Sequence, residues 1–231
     1  IAAAHVGKKI TIERLSDIFL ELQDKCANNI NLVTATHFVP QVAEALVKAK
    51  NKGLVIPVVY NSSAYENVST LKILDGLVDV YLPDMKYIDS RLSAEYSKAP
   101  DYADVAKAAI QEMVRQTGKP EFFTDDDELV KSESVEAGIM KKGVIVRHLV
   151  LPGTTKDSKA VIKYLLDTYA DEIYISIMSQ YTPFERLKKH PLLSRKVTRK
   201  EYDSVVDYAI ECGINNGFIQ EGDVAEESFI P

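Results

Sequence analysis

The residues best placed by type and spacing to do chemistry are Asp84 and Lys86. They stand two apart in the run VDVYLPDMKY (78–87), and along an extended strand such residues share a face. A carboxylate there can accept from ribose hydroxyls or help hold a cation, and an ammonium can pair with a carboxylate. Arg147, in VIVRHLVLPG (144–153), adds a fixed cation whose planar fork makes paired hydrogen bonds. Such a set suits a zwitterionic or nucleoside-bearing ligand. It equally describes an inward ion pair that only fills space, and spacing alone does not choose between the two.

Other apolar runs end in polar residues in the same way. INLV is followed by Thr34, Ala35, Thr36 and His37, LVIPVVY by Asn61, Ser62 and Ser63, and EIYISIM by Ser179, Gln180 and Tyr181. His148 directly follows Arg147, so the two point to opposite sides of a strand, and this histidine reads as packed against a helix. His37, just past a strand end beside Thr36, leans towards a site. Two cysteines, Cys26 and Cys212, cannot build a disulfide framework or a four-ligand metal site. They are expected as small buried or half-buried thiols. The acidic run TDDDE (124–128) reads as a solvated loop.

The elements that must position these residues alternate. Helical spacing marks 11–27, 40–53, 67–76, 101–118, 158–170 and 198–213; apolar runs mark strands at 30–35, 54–60, 78–85, 144–153 and 172–181. Thr11 is expected as an N-cap without the acid of a capping box. Five apolar strands, each followed by a helix, mean α/β with a parallel sheet. No Gly-rich phosphate loop follows the first strand, which favours a partial TIM-like β/α barrel over an open nucleotide-binding sheet. In such barrels the site lies at the C-terminal strand ends, where the polar groups that follow the apolar runs fall. The segment 119–142 breaks the pattern as a polar excursion or a lid.

The totals fit one domain over residues 1–231. Hydrophobic content is 46%, charged content 27%, net charge −6 and pI near 5.3. This balance argues against nucleic acid or an anionic membrane surface as partners. No apolar run approaches the roughly 18 residues of a spanning helix. A cytoplasmic location is expected.

Several segments together resemble the radical S-adenosylmethionine superfamily, in particular iron–sulfur proteins related to pyruvate formate-lyase activating enzyme. They are NINLVTATHFVPQ (29–41), VYNSSAYENVSTLKILDGLVDVYLPDMKY (59–87), YSKAPDYADVAKAAIQEMVRQTG (96–118), VIVRHLVLPG (144–153), IMSQYTP (177–183) and GFIQEGDVAEESFIP (217–231). The resemblance implies a partial β/α barrel and an oxidoreductase with two cofactors, S-adenosylmethionine and a [4Fe–4S] cluster. In that family three cysteines spaced C-x-x-x-C-x-x-C hold the cluster. This chain, opening at Ile1-Ala2-Ala3, lacks them, so the expectation is a barrel truncated at its N-terminal strand, incomplete at both ends and inactive by itself.

By position, the resemblance implies cofactor contacts at Thr36, His37, Asn61 and Ser62, although the family's Gly-Gly-Glu segment is absent at 34–37. It places Asp84 towards a ribose or cation, Lys86 towards the methionine carboxylate, Arg147 near the cofactor, and Gln180 or Tyr181 at a ribose. Reductive cleavage of S-adenosylmethionine to a 5′-deoxyadenosyl radical is the implied reaction. A glycyl radical enzyme or another protein is the implied target, and flavodoxin or ferredoxin the electron donor. Two other readings stand beside it: a Schiff-base lyase or aldolase using Lys86, and a cluster-less binding or scaffold barrel.

Overall fold

The computed structural model describes residues 8–219. Helix α1 (Ile12–Asp24) starts at Thr11, whose hydroxyl accepts from the Arg14 amide at 3.1 Å as its N-cap. Strand β1 (Ile30–Val33) leads through a 3-10 turn (Ala35–Phe38) into α2 (Val39–Asn51), which has Pro40 in its first turn. Then come β2 (Val58–Ser62), the single turn α3 (Val68–Leu71) and β3 (Val80–Pro83). Two helices follow, α4 (Ser90–Ser97) and α5 (Tyr102–Thr117), before the short β4 (Glu121–Phe122) and the single turn α6 (Glu128–Lys131). The chain continues through β5 (Met140–Leu149), α7 (Thr155–Tyr169), β6 (Tyr174–Met178), α8 (Arg199–Glu211) and β7 (Gly217–Ile219).

The strands form one sheet in the order β1-β2-β3-β5-β6-β7, every neighbour parallel, with β4 antiparallel to the start of β5. This is an α/β fold and a partial TIM-like barrel, as the alternation of elements implied. Among the described residues seven strands replace the five expected. The two extra ones, β4 and β7, are two and three residues long, too short for a periodic signal. Helix α4 was also missed; Asp89 caps it, accepting from the Arg91 amide at 2.8 Å.

Parity divides the sheet. Outward residues such as Ile30, Leu32, Val58, Tyr60, Tyr81, Val144, Val146, Ile175 and Ile177 are buried beneath the helices in the main core. The inward set is different in kind. At the N-terminal strand ends Val59, Val80 and Met140 cluster with Leu82, Phe122, Ile145 and Tyr174, forming an apolar floor. Phe122 meets the Tyr174 ring edge-on at 5.4 Å, and Phe218 stacks on that ring at 5.3 Å. Gly143 lets β4 approach: φ is +144°, and a Cβ there would stand 3.0 Å from the Pro120 backbone.

The segment 119–142 therefore lies at the floor end. Glu121 pairs with Lys142, which precedes Arg147 by about 17 Å of strand. Its Phe123 and Val135 are buried in the main core, which anchors the segment there. Both cysteines are exposed, which corrects the buried or half-buried expectation. Cys26 has left-handed φ just past α1, and Cys212 is the C-cap of α8; helix ends carry their side chains outward. Among the described residues no helix is long and apolar enough to cross a membrane.

Candidate functional site

The C-terminal ends of β2, β3, β5 and β6 bring five of the predicted residues together: Asn61, Asp84, Lys86, Arg147 and Gln180. Parallel pairing sets Arg147 opposite Asp84 on one side and Ser176 on the other. The guanidinium Nη2 of Arg147 donates to Asp84 Oδ1 and to Asn61 Oδ1, both at 2.6 Å. The side chains of Arg147 and Asp84 are only 25% and 20% exposed. Lys86 Nζ lies 3.6 Å from the other Asp84 oxygen and is 39% exposed. Asp84 thus faces two cations, one half-buried beside it and one reaching outward.

These groups open on a cavity of about 210 Å³. Asp84, Lys86, Arg147 and Gln180 make its polar side, and Leu149, Leu151 and Met178 its apolar side. A larger hollow of about 590 Å³ lies outside the barrel on α7 and α8, between Lys159, Arg199, Asp203 and Tyr208. It is a wide groove lined by charges on the outer helices, so size does not make it the site.

Each inward side chain depends on its outward neighbour. His148 is 1% exposed, and its Nδ1 donates to the Met85 carbonyl at 2.7 Å. Burial depresses the imidazole pKa, so the ring is held neutral, and its Nε2 has no partner. Met85 is fully buried between Asp84 and Lys86, and its amide donates to the Arg147 carbonyl at 2.9 Å. The expectation that Arg147 and His148 face opposite sides holds in this geometry.

The remaining predicted residues lie elsewhere. Thr36 donates to Glu66 at 3.1 Å, and Ser62 donates to the same carboxylate. Tyr60 donates to Glu66 at 2.8 Å. Glu66 is 5% exposed, so Thr36 and Ser62 are turned into a buried hydroxyl–carboxylate knot, away from the cavity wall. Tyr181 is buried, donating to the Leu193 carbonyl at 2.7 Å and fixing the loop after β6. His37 is exposed beside Phe38 on the turn after β1.

Sequence reasoning missed Glu66, Tyr102 and Asp157. Glu66 stands four residues after Ser62, a spacing that marks a turn without revealing the partner. Asp157, in the first turn of α7, accepts from the Asp89 amide at 2.7 Å and the Ile88 amide at 3.2 Å. It ties the loop after β3 to the helix after β5, and burial pushes its carboxyl pKa up. Tyr102 is buried at the start of α5, and its hydroxyl meets the backbone at the ends of β2 and β3. Such long-range contacts leave no local trace.

What the fold and site define is a partial β/α barrel with a charged, half-apolar hollow at its strand ends. That fold is shared with a domain of pyruvate-formate lyase-activating enzyme from Bacteroides vulgatus, with a TM-score of 0.51 and 10% identity over 83% of this chain and 97% of that one. It is shared too with a radical SAM methyltransferase from Sphaerobacter thermophilus, with a TM-score of 0.55 and 9% identity over 94% of this chain and 60% of that one. No family model matches the sequence. An uncharacterised protein of Methanocaldococcus jannaschii is 29% identical over 154 residues, 67% of this chain. The match spans 38% of that relative's length.

Proposed function

We propose that this barrel is the S-adenosylmethionine-binding part of a radical S-adenosylmethionine oxidoreductase of the pyruvate formate-lyase activating kind. The observation that carries this is the Asp84–Arg147–Lys86 cluster over an amphipathic hollow, in a fold shared with a pyruvate-formate lyase-activating enzyme domain and a radical SAM methyltransferase. The donor set suits the ligand. Lys86 offers a cation to the methionine carboxylate, Asp84 an acceptor to ribose hydroxyls or the amino group, and Leu149, Leu151 and Met178 a surface for the aliphatic chain. At about 210 Å³ the hollow is smaller than the roughly 300–1,000 Å³ that engulfs a drug-sized ligand, so it grips one part of the molecule.

The [4Fe–4S] cluster does not fit the described residues. No group of three His, Cys, Asp or Glu is placed to hold a metal among them, and Cys26 and Cys212 are exposed at the ends of separate helices. The cluster and the redox step belong, in this reading, to parts of the protein outside them. The work of these residues is to bind, orient and exclude water. A cytoplasmic setting, a glycyl radical enzyme or other protein as target, and flavodoxin or ferredoxin as donor complete the proposal.

Calorimetric titration of this chain with S-adenosylmethionine tests the binding half. Saturable binding that Arg147→Leu abolishes is expected, and no heat of binding overturns it. Formation of 5′-deoxyadenosine by the protein from its whole coding sequence, reconstituted without oxygen, tests the other half. Binding without cleavage would instead mean a cluster-less binding barrel. The Schiff-base reading is disfavoured, because Lys86 sits beside a carboxylate and partly in solvent, not in a desolvated pocket.

A further inference from the structure

We propose that Tyr102 is a positioning residue for this site, acting as a substitute rung of the sheet that aims Asp84 and Lys86 into the cavity. The inference rests on the S-adenosylmethionine reading above. It starts from a break in the ladder between β2 and β3. Pairing is regular up to Ser62 and Pro83, and the Asp84 amide donates to the Ser62 carbonyl at 2.9 Å. In a continuing parallel ladder, the Ala64 amide would donate to the Asp84 carbonyl and the Ala64 carbonyl would accept from the Lys86 amide. Ala64 does neither. Its φ is +59°, and its amide turns back to Ser62 Oγ at 2.9 Å.

The Tyr102 hydroxyl fills the gap. Its single proton lies within reach of two acceptors, the Asp84 carbonyl at 2.7 Å and the Ser63 carbonyl at 2.9 Å, with the shorter contact to Asp84, and its oxygen accepts from the Lys86 amide at 3.1 Å. A phenol can both donate and accept, so one atom does for Asp84 and Lys86 what a whole residue of β2 would do. Burial pushes its pKa well up, so the proton needed for donation stays in place. The ring is fixed independently: it stacks on Tyr65 at 6.0 Å and meets Tyr87 edge-on at 5.6 Å. Held on both backbone groups, the segment from Asp84 to Lys86 stays extended, and extension is what puts both side chains on the cavity face.

Tyr102→Phe keeps the ring and removes the rung. Two measurements on the same chain test the idea: calorimetric affinity for S-adenosylmethionine, and hydrogen exchange of the Lys86 amide by NMR. Tyr87→Phe is the control, since its hydroxyl meets Ser97 Oγ at 3.2 Å and no strand end. In Tyr102→Phe the affinity falls about tenfold and Lys86 amide exchange quickens at least as much, while the circular dichroism spectrum stays that of the wild type. Tyr87→Phe changes neither. Wild-type affinity in Tyr102→Phe, with Arg147→Leu abolishing binding, overturns the positioning role and leaves the ligand assignment standing. Equal losses in both tyrosine variants overturn it in favour of general packing. If the wild type does not bind, the ligand reading itself has failed, and Tyr102 has no such site to position.

Discussion

Replacing Asp84 by Asn keeps its shape and removes its charge, and the structure sets what that should cost. The lost group is one end of a 2.6 Å ion pair whose partners are 20% and 25% exposed. Fully exposed pairs contribute about 0–1 kcal/mol, whereas hydrogen bonds to charged groups out of solvent contribute about 1.5–3 kcal/mol. For a pair three-quarters withdrawn from water, a coupling of about 1.5–2 kcal/mol follows. The Lys86 contact, at 3.6 Å and 39% exposed, adds about 0.5 kcal/mol at most. Asp84→Asn should therefore lower Tm by roughly 3–8 °C in a chain of this size. Arg147→Gln should act similarly, and the double variant should be less destabilised than the sum. The assay is a double-mutant cycle by urea unfolding at low and high salt. A coupling below about 0.5 kcal/mol would refute the view that Arg147, and not Lys86, is the structural partner of Asp84.

Further outcomes follow from other parts of the molecule. His148 is held neutral by burial, so its folded pKa lies below the unfolded value near 6.5; its contribution is present above that pH and is lost as pH falls through the depressed value. Relative to His148→Gln, the wild type should lose about 1.4 kcal/mol per pH unit on acidification below about 6.5, and equal slopes in urea titrations would contradict this. Cys26 and Cys212 should both react with a disulfide reagent in the native state, within minutes and without denaturant; a count below two per chain would disprove their exposure. Phe122→Ala removes a ring from the apolar floor and should cost roughly 2–3 kcal/mol by chemical denaturation.

Alternation of helix and strand was legible because each long element repeats its own period: β1, β3 and β6 fall inside the expected runs, while β5 begins four residues ahead of its run, where β4 pairs with it. The inward pairing of Asp84, Lys86 and Arg147 was legible for a related reason, since strand parity is a local property. Thr36 and Ser62, expected as cofactor contacts at strand ends, have their hydroxyls on a buried acid of the loop after β2, Glu66, a partner the strand-end pattern does not reveal. The Tyr181 hydroxyl reaches a carbonyl twelve residues on, a contact no strand-end pattern announces. Tyr102 and Asp157 act across 16 to 69 positions of sequence, and no window along the chain contains both partners.

The alternation along β5 has a consequence for how this protein can change. Arg147 and His148 are adjacent, one a hydrogen-bonded wall of the hollow and the other sealed beneath the helices. One residue inserted or deleted just before them would exchange the two, pushing a guanidinium into the hydrocarbon layer and a neutral ring into the hollow. Substitutions at either position are graded injuries, whereas a shift of frame within the strand is all or nothing. Changes of length should accordingly be tolerated at the exposed residues 131–133 of the excursion, outside β4, β5 and the core, and rejected between Val144 and Val150, a contrast that a scan of single-codon deletions would expose.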